Sequence, residues 1–400
     1  MLHTFSYKYT DLRRKNSLYL DMKGVARIVP LKLLHTADLH LGMTFKTRSY
    51  TEELRRQLIE ARFESLEKLV SLAEEEQCQL LILAGDLFHR VNIAAADISR
   101  AVSILKRFSG ITALLPGNHD YYEPHSPLWG SLKELASEDI ILLTEQRPYP
   151  LDEHGIEAAL YPAPCDGKHS AENRLAWIGR LEDRPKATWH IGVAHGTVRG
   201  ISPDFNDQYF PMEEAGLTAC RLDHWCLGHT HVPYPNLKET GSHPFIFSGT
   251  PEPDGFDCQH PGSAWLTELK EDGSSYSRLL ETGRFCFVEL ERTVTGRDEL
   301  LALPAEFEAE GARTLVKLKL RGMLPEADYA ERKAILRQIE EKVLYLETDD
   351  SELVMEIDAA VIDDKYPEGS FPHRLLGRLN EKADPEAVQL AYRLIEEVKQ

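Results

Sequence analysis

Five short apolar runs in this chain are each followed at once by a knot of aspartate, histidine or asparagine, and that repeated pairing constrains the fold more than any other feature. The knots are Asp38-Leu39-His40, Gly85-Asp86-Leu87-Phe88-His89, Gly117-Asn118-His119-Asp120, His195-Gly196 and Gly228-His229-Thr230-His231. The runs before them, such as Leu31–His35, Gln79–Ala84 and Ile111–Leu115, have the length and continuous hydrophobicity of buried strands. Between the first three lie helical periodicities over Glu52–Glu76, with Leu54, Leu58, Ala61, Leu69 and Ala73 near one stripe, and over Ala94–Phe108. Early β-α-β units followed by mostly strands predict stacked sheets with helices outside, an α/β (α+β) architecture. In such a fold the loops leaving one edge of neighbouring strands converge, so residues almost 200 positions apart can share a cleft.

The side chains so gathered are two aspartates, four histidines and one asparagine: Asp38, His40, Asp86, Asn118, His195, His229 and His231. Imidazole nitrogens suit borderline divalent ions, carboxylate and amide oxygens suit harder ones, and no thiolate belongs to the set. This donor mixture predicts a catalytic Mn²⁺, Fe²⁺ or Zn²⁺ site rather than a structural zinc. Seven ligands exceed what one ion needs if positions are to stay open for water and substrate. Two ions sharing a carboxylate fit the number, and such pairs clamp the attacking and leaving oxygens of an in-line displacement.

The order D-x-H, G-D, G-N-H-D, H, G-H-x-H resembles the calcineurin-like metallophosphoesterase superfamily. Within it, His35–Gly42, Gly85–His89 and Ser248-Gly249-Thr250-Pro251-Glu252-Pro253 look most like the SbcD-type DNA repair exonucleases. The likeness covers about 31–290. It implies a four-layer sandwich of two stacked sheets flanked by helices, with a small C-terminal α/β cap domain. It also implies one ion held by Asp38, His40, Asp86 and His231 and a second by Asp86, Asn118, His195 and His229. Asp86 would bridge them, and Mn²⁺ is the favoured metal. His119 matches the family's non-ligand catalytic histidine, which stabilises the phosphorane or protonates the departing sugar oxygen. Asp120 is placed to orient that ring, and His89 matches a branch-specific histidine that positions the DNA phosphate. The implied partners are duplex ends, single strands and an SbcC-like coiled-coil ATPase, with a second copy of the chain as a further candidate.

Domain boundaries are expected at 1–30 for an N-terminal extension, 31–295 for the nuclease domain and 296–400 for the cap. Residues 1–30 hold no continuous apolar core or small-residue cleavage site of a secretory signal, and a translation start at Met22 is an alternative reading. No apolar run reaches the roughly 18 residues of a membrane span. Six cysteines without a C-x-x-C pair argue against a disulfide framework, so a cytoplasmic protein with no membrane partner is expected.

The net charge of −19 argues against a protein that coats nucleic acid by bulk charge, although a locally positive cleft or bound cations override the overall sign. Lys317, Lys319 and Arg321 share one strand face, a row that either tracks phosphates or is simply solvated. Tyr121-Tyr122 is expected to pack its own loop rather than stack on a base. Further strand is expected over Ser351–Ile362, and a helix over Pro385–Lys399 with Asp384 as N-cap. Three functions remain open on sequence alone. The first is a DNA exonuclease/endonuclease acting in double-strand-break repair or end processing. The others are a small-molecule phosphodiesterase of the cyclic-nucleotide type and a non-catalytic scaffold of a repair complex. The intact ligand set weighs against the scaffold.

Overall fold

The computed structural model describes residues 18–20, 26–28, 30–46, 48–204, 206–307, 311–382 and 384–399, so most of the expected N-terminal extension lies outside the described residues. The chain divides into two compact units, Met1–Asp254 with His260–Phe285, and Gly255–Gln259 with Cys286–Gln400. Among the described residues no helix is long and apolar enough to cross a membrane.

The first unit holds a seven-stranded and a five-stranded sheet. In the larger, Leu31–Thr36, Leu80–Leu83, Ile111–Leu114 and Ile140–Leu142 run parallel in that order. Ser263–Leu269 and Ser275–Glu281 extend it antiparallel from the Leu31–Thr36 edge. In the smaller, Ala158–Ala163, Trp189–His195, His224–Gly228 and Ile246–Phe247 are parallel neighbours. Strand alternation divides the apolar residues into two layers. Leu31, Leu33, Leu80, Ile82, Ile111 and Ala113 meet Leu160, Ile191, Val193 and Cys226 between the sheets. Leu34, Leu81, Leu83 and Leu114 turn to the helices Glu52–Glu75, Ala95–Leu105 and Pro127–Leu135. The far face of the smaller sheet is covered through Trp225, Tyr161, Leu217 and Ile178. This is the expected four-layer α/β sandwich.

Local chemistry sets the helix ends. The Thr51 hydroxyl accepts from Leu54 N at 3.1 Å, and Glu52 and Glu53 lie in the first turn, where carboxylates complement the helix dipole. Within the inter-sheet layer, two histidines share the burial. His35 and His224 are fully enclosed, and burial lowers them from 6.5 to about 3 and about 4, so both rings are neutral near pH 7.

In the second unit, Cys286–Val294, Thr314–Leu324 and Tyr345–Met355 form a parallel three-stranded sheet. The helix Glu326–Glu340 packs on it through Ile335 and Ile339. The expected boundary at 295 therefore falls too late, because the strand from Cys286 pairs with Thr314–Leu324 in the small sheet. The strand expected over Ser351–Ile362 ends at Met355. Asp358 then accepts from Val361 N at 2.8 Å and caps the helix Ala359–Lys365. Asp384 caps Pro385–Lys399 as expected, accepting from Ala387 N at 3.0 Å. The basic row is matched by carboxylates on both neighbouring strands. Lys317 meets Glu289 at 2.6 Å, Lys319 meets Glu352, and Arg321 meets Glu291 and Glu352. Those pairings satisfy the row within its own sheet.

Candidate dimetal centre

Each polar knot sits where its strand ends, and the strands' pairing continues into the loops. Asp38 N donates to Gly85 O at 3.1 Å, His40 N to Asp86 O at 2.9 Å, and His89 N to Leu41 O at 3.0 Å, so the first two knots are zipped together. Asp38, His40 and Asp86 adopt φ of 57°, 47° and 55°, a left-handed geometry uncommon for non-glycine residues and held here by those bonds. Two glycines give the side chains room. A Cβ on Gly85 would lie 2.2 Å from His195 Nδ1, and one on Gly117 would lie 2.1 Å from Asp86 Oδ1.

The seven expected ligands converge as two groups that meet at the Asp38 and Asp86 carboxylates. His40 Nε2 lies 3.1 Å from His231 Nε2, 3.9 Å from Asp38 Oδ1 and 3.7 Å from Asp86 Oδ2, while His231 Nε2 is 3.8 Å from Asp38 Oδ1. On the other side, Asn118 Oδ1 is 3.1 Å from His195 Nε2 and 3.0 Å from His229 Nδ1, and His195 Nε2 is 3.4 Å from Asp86 Oδ2. Asp86 Oδ2 thus stands in both groups. The donor atoms of Asp38, His40 and His231, and of Asp38, Asp86 and His195, lie close enough together to hold a metal ion. Asp38 Oδ1 is fully buried and accepts no hydrogen bond from the described residues, a costly arrangement unless a cation faces it. The residues therefore fit divalent cations.

The electrostatics suit two of the histidines as ligands, whereas His195 has a proton to give up before it can bind a cation. Burial, against the pull of Asp86, holds His40 well below 6.5, and burial takes His229 to about 3, so both rings are neutral and their lone pairs available. Burial pushes the Asp38 carboxyl up, only partly offset by His195 and His231. For Asp86 burial pushes the same way, but His195 and His40 outweigh it and hold the group below its ordinary value. Burial opposes protonation of His195 as well, yet Asp86 prevails and raises it to about 9.

The remaining expected residues are placed differently. The His119 ring stacks on His89 with centroids 5.3 Å apart, and its Nδ1 lies 3.0 Å from His89 O. His89 Nδ1 is 3.4 Å from His40 Nδ1. Asp120 does not orient the His119 ring, a correction to its expected role. Its carboxylate accepts from the main-chain amides of Gly117 at 2.7 Å, Phe88 at 3.0 Å and Asp86 at 3.3 Å. Burial, with Asp86 beside it, raises this carboxyl to about 7. An aspartate after a tight turn commonly bonds backbone in this way. Tyr122 meets Trp129 edge-on at 6.0 Å, as expected of loop packing.

Sequence reasoning missed Asp254 and Arg62. Asp254 Oδ2 lies 3.2 Å from His231 Nδ1 and 3.2 Å from Arg62 Nη2, and Arg62 Nη1 donates to Leu39 O at 2.6 Å. The Ser248–Pro253 motif stops one residue short of this aspartate, and a single arginine on a helix carries no signal of its own.

YhaO of Bacillus subtilis strain 168, named an uncharacterized metallophosphoesterase, is 26% identical over 255 residues, 62% of this chain and 56% of that protein. A protein of Methanopyrus kandleri named DNA double-strand break repair protein Mre11 is 26% identical over 280 residues, 65% of this chain and 56% of the relative. Its namesake in Saccharolobus solfataricus is 28% identical over 258 residues, 60% and 61% of the two chains. The chain thus spans little more than half the length of these curated relatives. Among solved structures, TT1561 of Thermus thermophilus is 14% identical with a TM-score of 0.38, over 61% of this chain and 96% of that one. The family described as calcineurin-like phosphoesterase matches residues 31–233, half the chain and all five knots. This chain belongs to the calcineurin-like phosphoesterase family, whose fold implies a dinuclear divalent metal site.

Proposed function

We propose that this chain is a DNA nuclease that hydrolyses phosphodiester bonds at a pair of divalent ions, most simply Mn²⁺, during the processing of broken ends. The observation that carries this reading is the position of Asp86 Oδ2 between His40 Nε2 at 3.7 Å and His195 Nε2 at 3.4 Å, one from each donor group. Support for DNA as substrate comes from the relatives named DNA double-strand break repair protein Mre11, and from one in Bacillus subtilis whose name makes it part of the nuclease SbcCD. The second name also supports a partner subunit, which the family resemblance implies is an SbcC-like ATPase.

In this reading Asp38, His40, Asp86 and His231 hold one ion, and Asp86, Asn118, His195 and His229 the other. Bound there, the ions supply Lewis-acid polarisation of the phosphate and a water acidic enough to attack at neutral pH. The protein's own groups complete the chemistry. Holding an ion through Nε2, His40 carries its proton on Nδ1 and donates it to His89 Nδ1. His89 then bears its own proton on Nε2, a donor suited to a phosphate oxygen. His119 donates Nδ1–H to the His89 carbonyl, so it acts as a general acid in its imidazolium form, whose Nε2–H passes to the departing sugar oxygen.

The bulk charge of −19 and the internally paired row at Lys317–Arg321 favour a second reading, a small phosphodiester as substrate. An Mn²⁺-supplemented assay on labelled duplex, single-stranded DNA and a small bis-phosphodiester separates the two, with Asp86→Ala as control. Cleavage of DNA supports the nuclease. Cleavage of the small compound alone supports the second reading. His119→Ala is expected to keep both ions and lose at least about 100-fold in rate, the usual worth of a general acid.

A further inference from the structure

We propose that Asp254, gripped by Arg62, is a positioning residue that fixes the ring and tautomer of His231 and so sets the affinity of one of the two ions. The proposal rests on the dimetal reading above. Asp254 directly follows the Ser248–Pro253 motif, which no step of the proposed reaction uses. The structure shows this segment as a strap fastened across the first and last knots. Thr250 Oγ1 donates to Asp38 O at 2.9 Å, and Thr250 N to His231 O at 3.0 Å. Glu252 anchors the strap from the other side, accepting from Arg284 N at 2.7 Å and Phe285 N at 2.9 Å.

At its end the strap presents Asp254 to His231 Nδ1 at 3.2 Å. An ionised carboxylate only accepts, so the His231 proton must sit on Nδ1, and Nε2 carries the lone pair that points at His40 Nε2 and Asp38 Oδ1. A carboxylate in this position also makes a ligating imidazole more basic and holds its plane.

Arg62 holds the carboxylate in place. Its guanidinium is 1% exposed, and its fork spans Asp254 Oδ2 at 3.2 Å and Leu39 O at 2.6 Å. Leu39 lies between the ligands Asp38 and His40. One buried cation therefore ties the backbone carrying two donors to the side chain that aims a third, all on the same side of Asp86. Among the described residues no comparable carboxylate backs His195, whose Nδ1 meets Ala84 O at 2.8 Å. The device serves one ion and not the other.

The test is Mn²⁺ titration calorimetry on the full chain, comparing wild type with Asp254→Asn, Arg62→Lys, His231→Ala and the pair Asp254→Asn/His231→Ala. Wild type should bind two ions. Asp254→Asn and Arg62→Lys should bind one of them unchanged and the other about 10- to 100-fold more weakly, the usual effect of losing such a partner. On the His231→Ala background, Asp254→Asn should change nothing further, whereas a general loss of packing would add to it. Unchanged binding of both ions by Asp254→Asn overturns the proposal and leaves the dimetal reading intact. Fewer than two ions on wild type overturns both. Should the variants fail to fold, histidine ¹⁵N spectra of zinc-loaded wild type decide the matter: a proton on His231 Nδ1 supports the proposal, and one on Nε2 overturns it.

Discussion

Asp120→Ala separates two roles that a single aspartate beside a catalytic histidine could play. Its carboxylate serves three main-chain amides, of Gly117, Phe88 and Asp86, all buried. Leaving a buried amide without its acceptor costs roughly 1–3 kcal/mol, so three together cost roughly 3–9 kcal/mol. Removing a carboxylate from a dry site returns part of this. A net loss of about 3 kcal/mol is expected, which moves a urea midpoint down by about 1 M at ordinary slopes. The readout is clean because all five tryptophans (129, 177, 189, 225 and 265) lie in the first unit, so their fluorescence follows that unit alone. Trp129 Nε1 itself donates to Asp120 O at 2.8 Å. Activity per folded molecule, measured well below the midpoint, should fall only as far as the metal loops are loosened. An unchanged midpoint with a hundredfold loss of rate would refute this reasoning and restore Asp120 as the residue that orients His119.

Two further perturbations test the packing around the site. His35 and His224 are buried neutral, with folded values of about 3 and about 4 against 6.5 unfolded, so the unfolded chain takes up protons first on acidification. Their contribution is complete above pH 6.5 and is lost as pH falls towards 4, on the order of 3 kcal/mol for each ring; His224→Leu should flatten that limb in midpoints recorded from pH 7 to 4.5, and an equally steep limb would contradict it. Gly85→Ala places a methyl 2.2 Å from His195 Nδ1 at a φ of +96°, so about 3 kcal/mol of stability and the ion assigned to His195 should both be lost in melting and metal analysis.

The sequence made the site's ligands legible because each follows an apolar strand, and strand pairing carries such residues to a common edge. Parallel neighbours such as Leu33 with Leu80 and Leu80 with Ile111 put the first three knots side by side. The layering was legible for the same reason, since Leu33 and Leu34 must face opposite ways. What stayed hidden depends on partners distant in sequence. Asp120 reads equally well as a histidine's support or as a turn's internal cap, and only the positions of the Phe88 and Asp86 amides decide it. Asp254 and Arg62 stand 192 positions apart and match no pattern, so their joint hold on His231 appears only in three dimensions. The basic face at Lys317–Arg321 looked open because the carboxylates that meet it lie on neighbouring strands. The unit boundary was misplaced because an apolar strand such as Cys286–Val294 does not announce which sheet it will join.

Anomalous diffraction from crystals grown with Mn²⁺ tests the account most directly. Two peaks about 3.5–4 Å apart, both bonded to Asp86 and divided between the Asp38–His40–His231 and Asn118–His195–His229 groups, are the expected result. A single peak, or a pair that leaves Asp86 untouched, would contradict it.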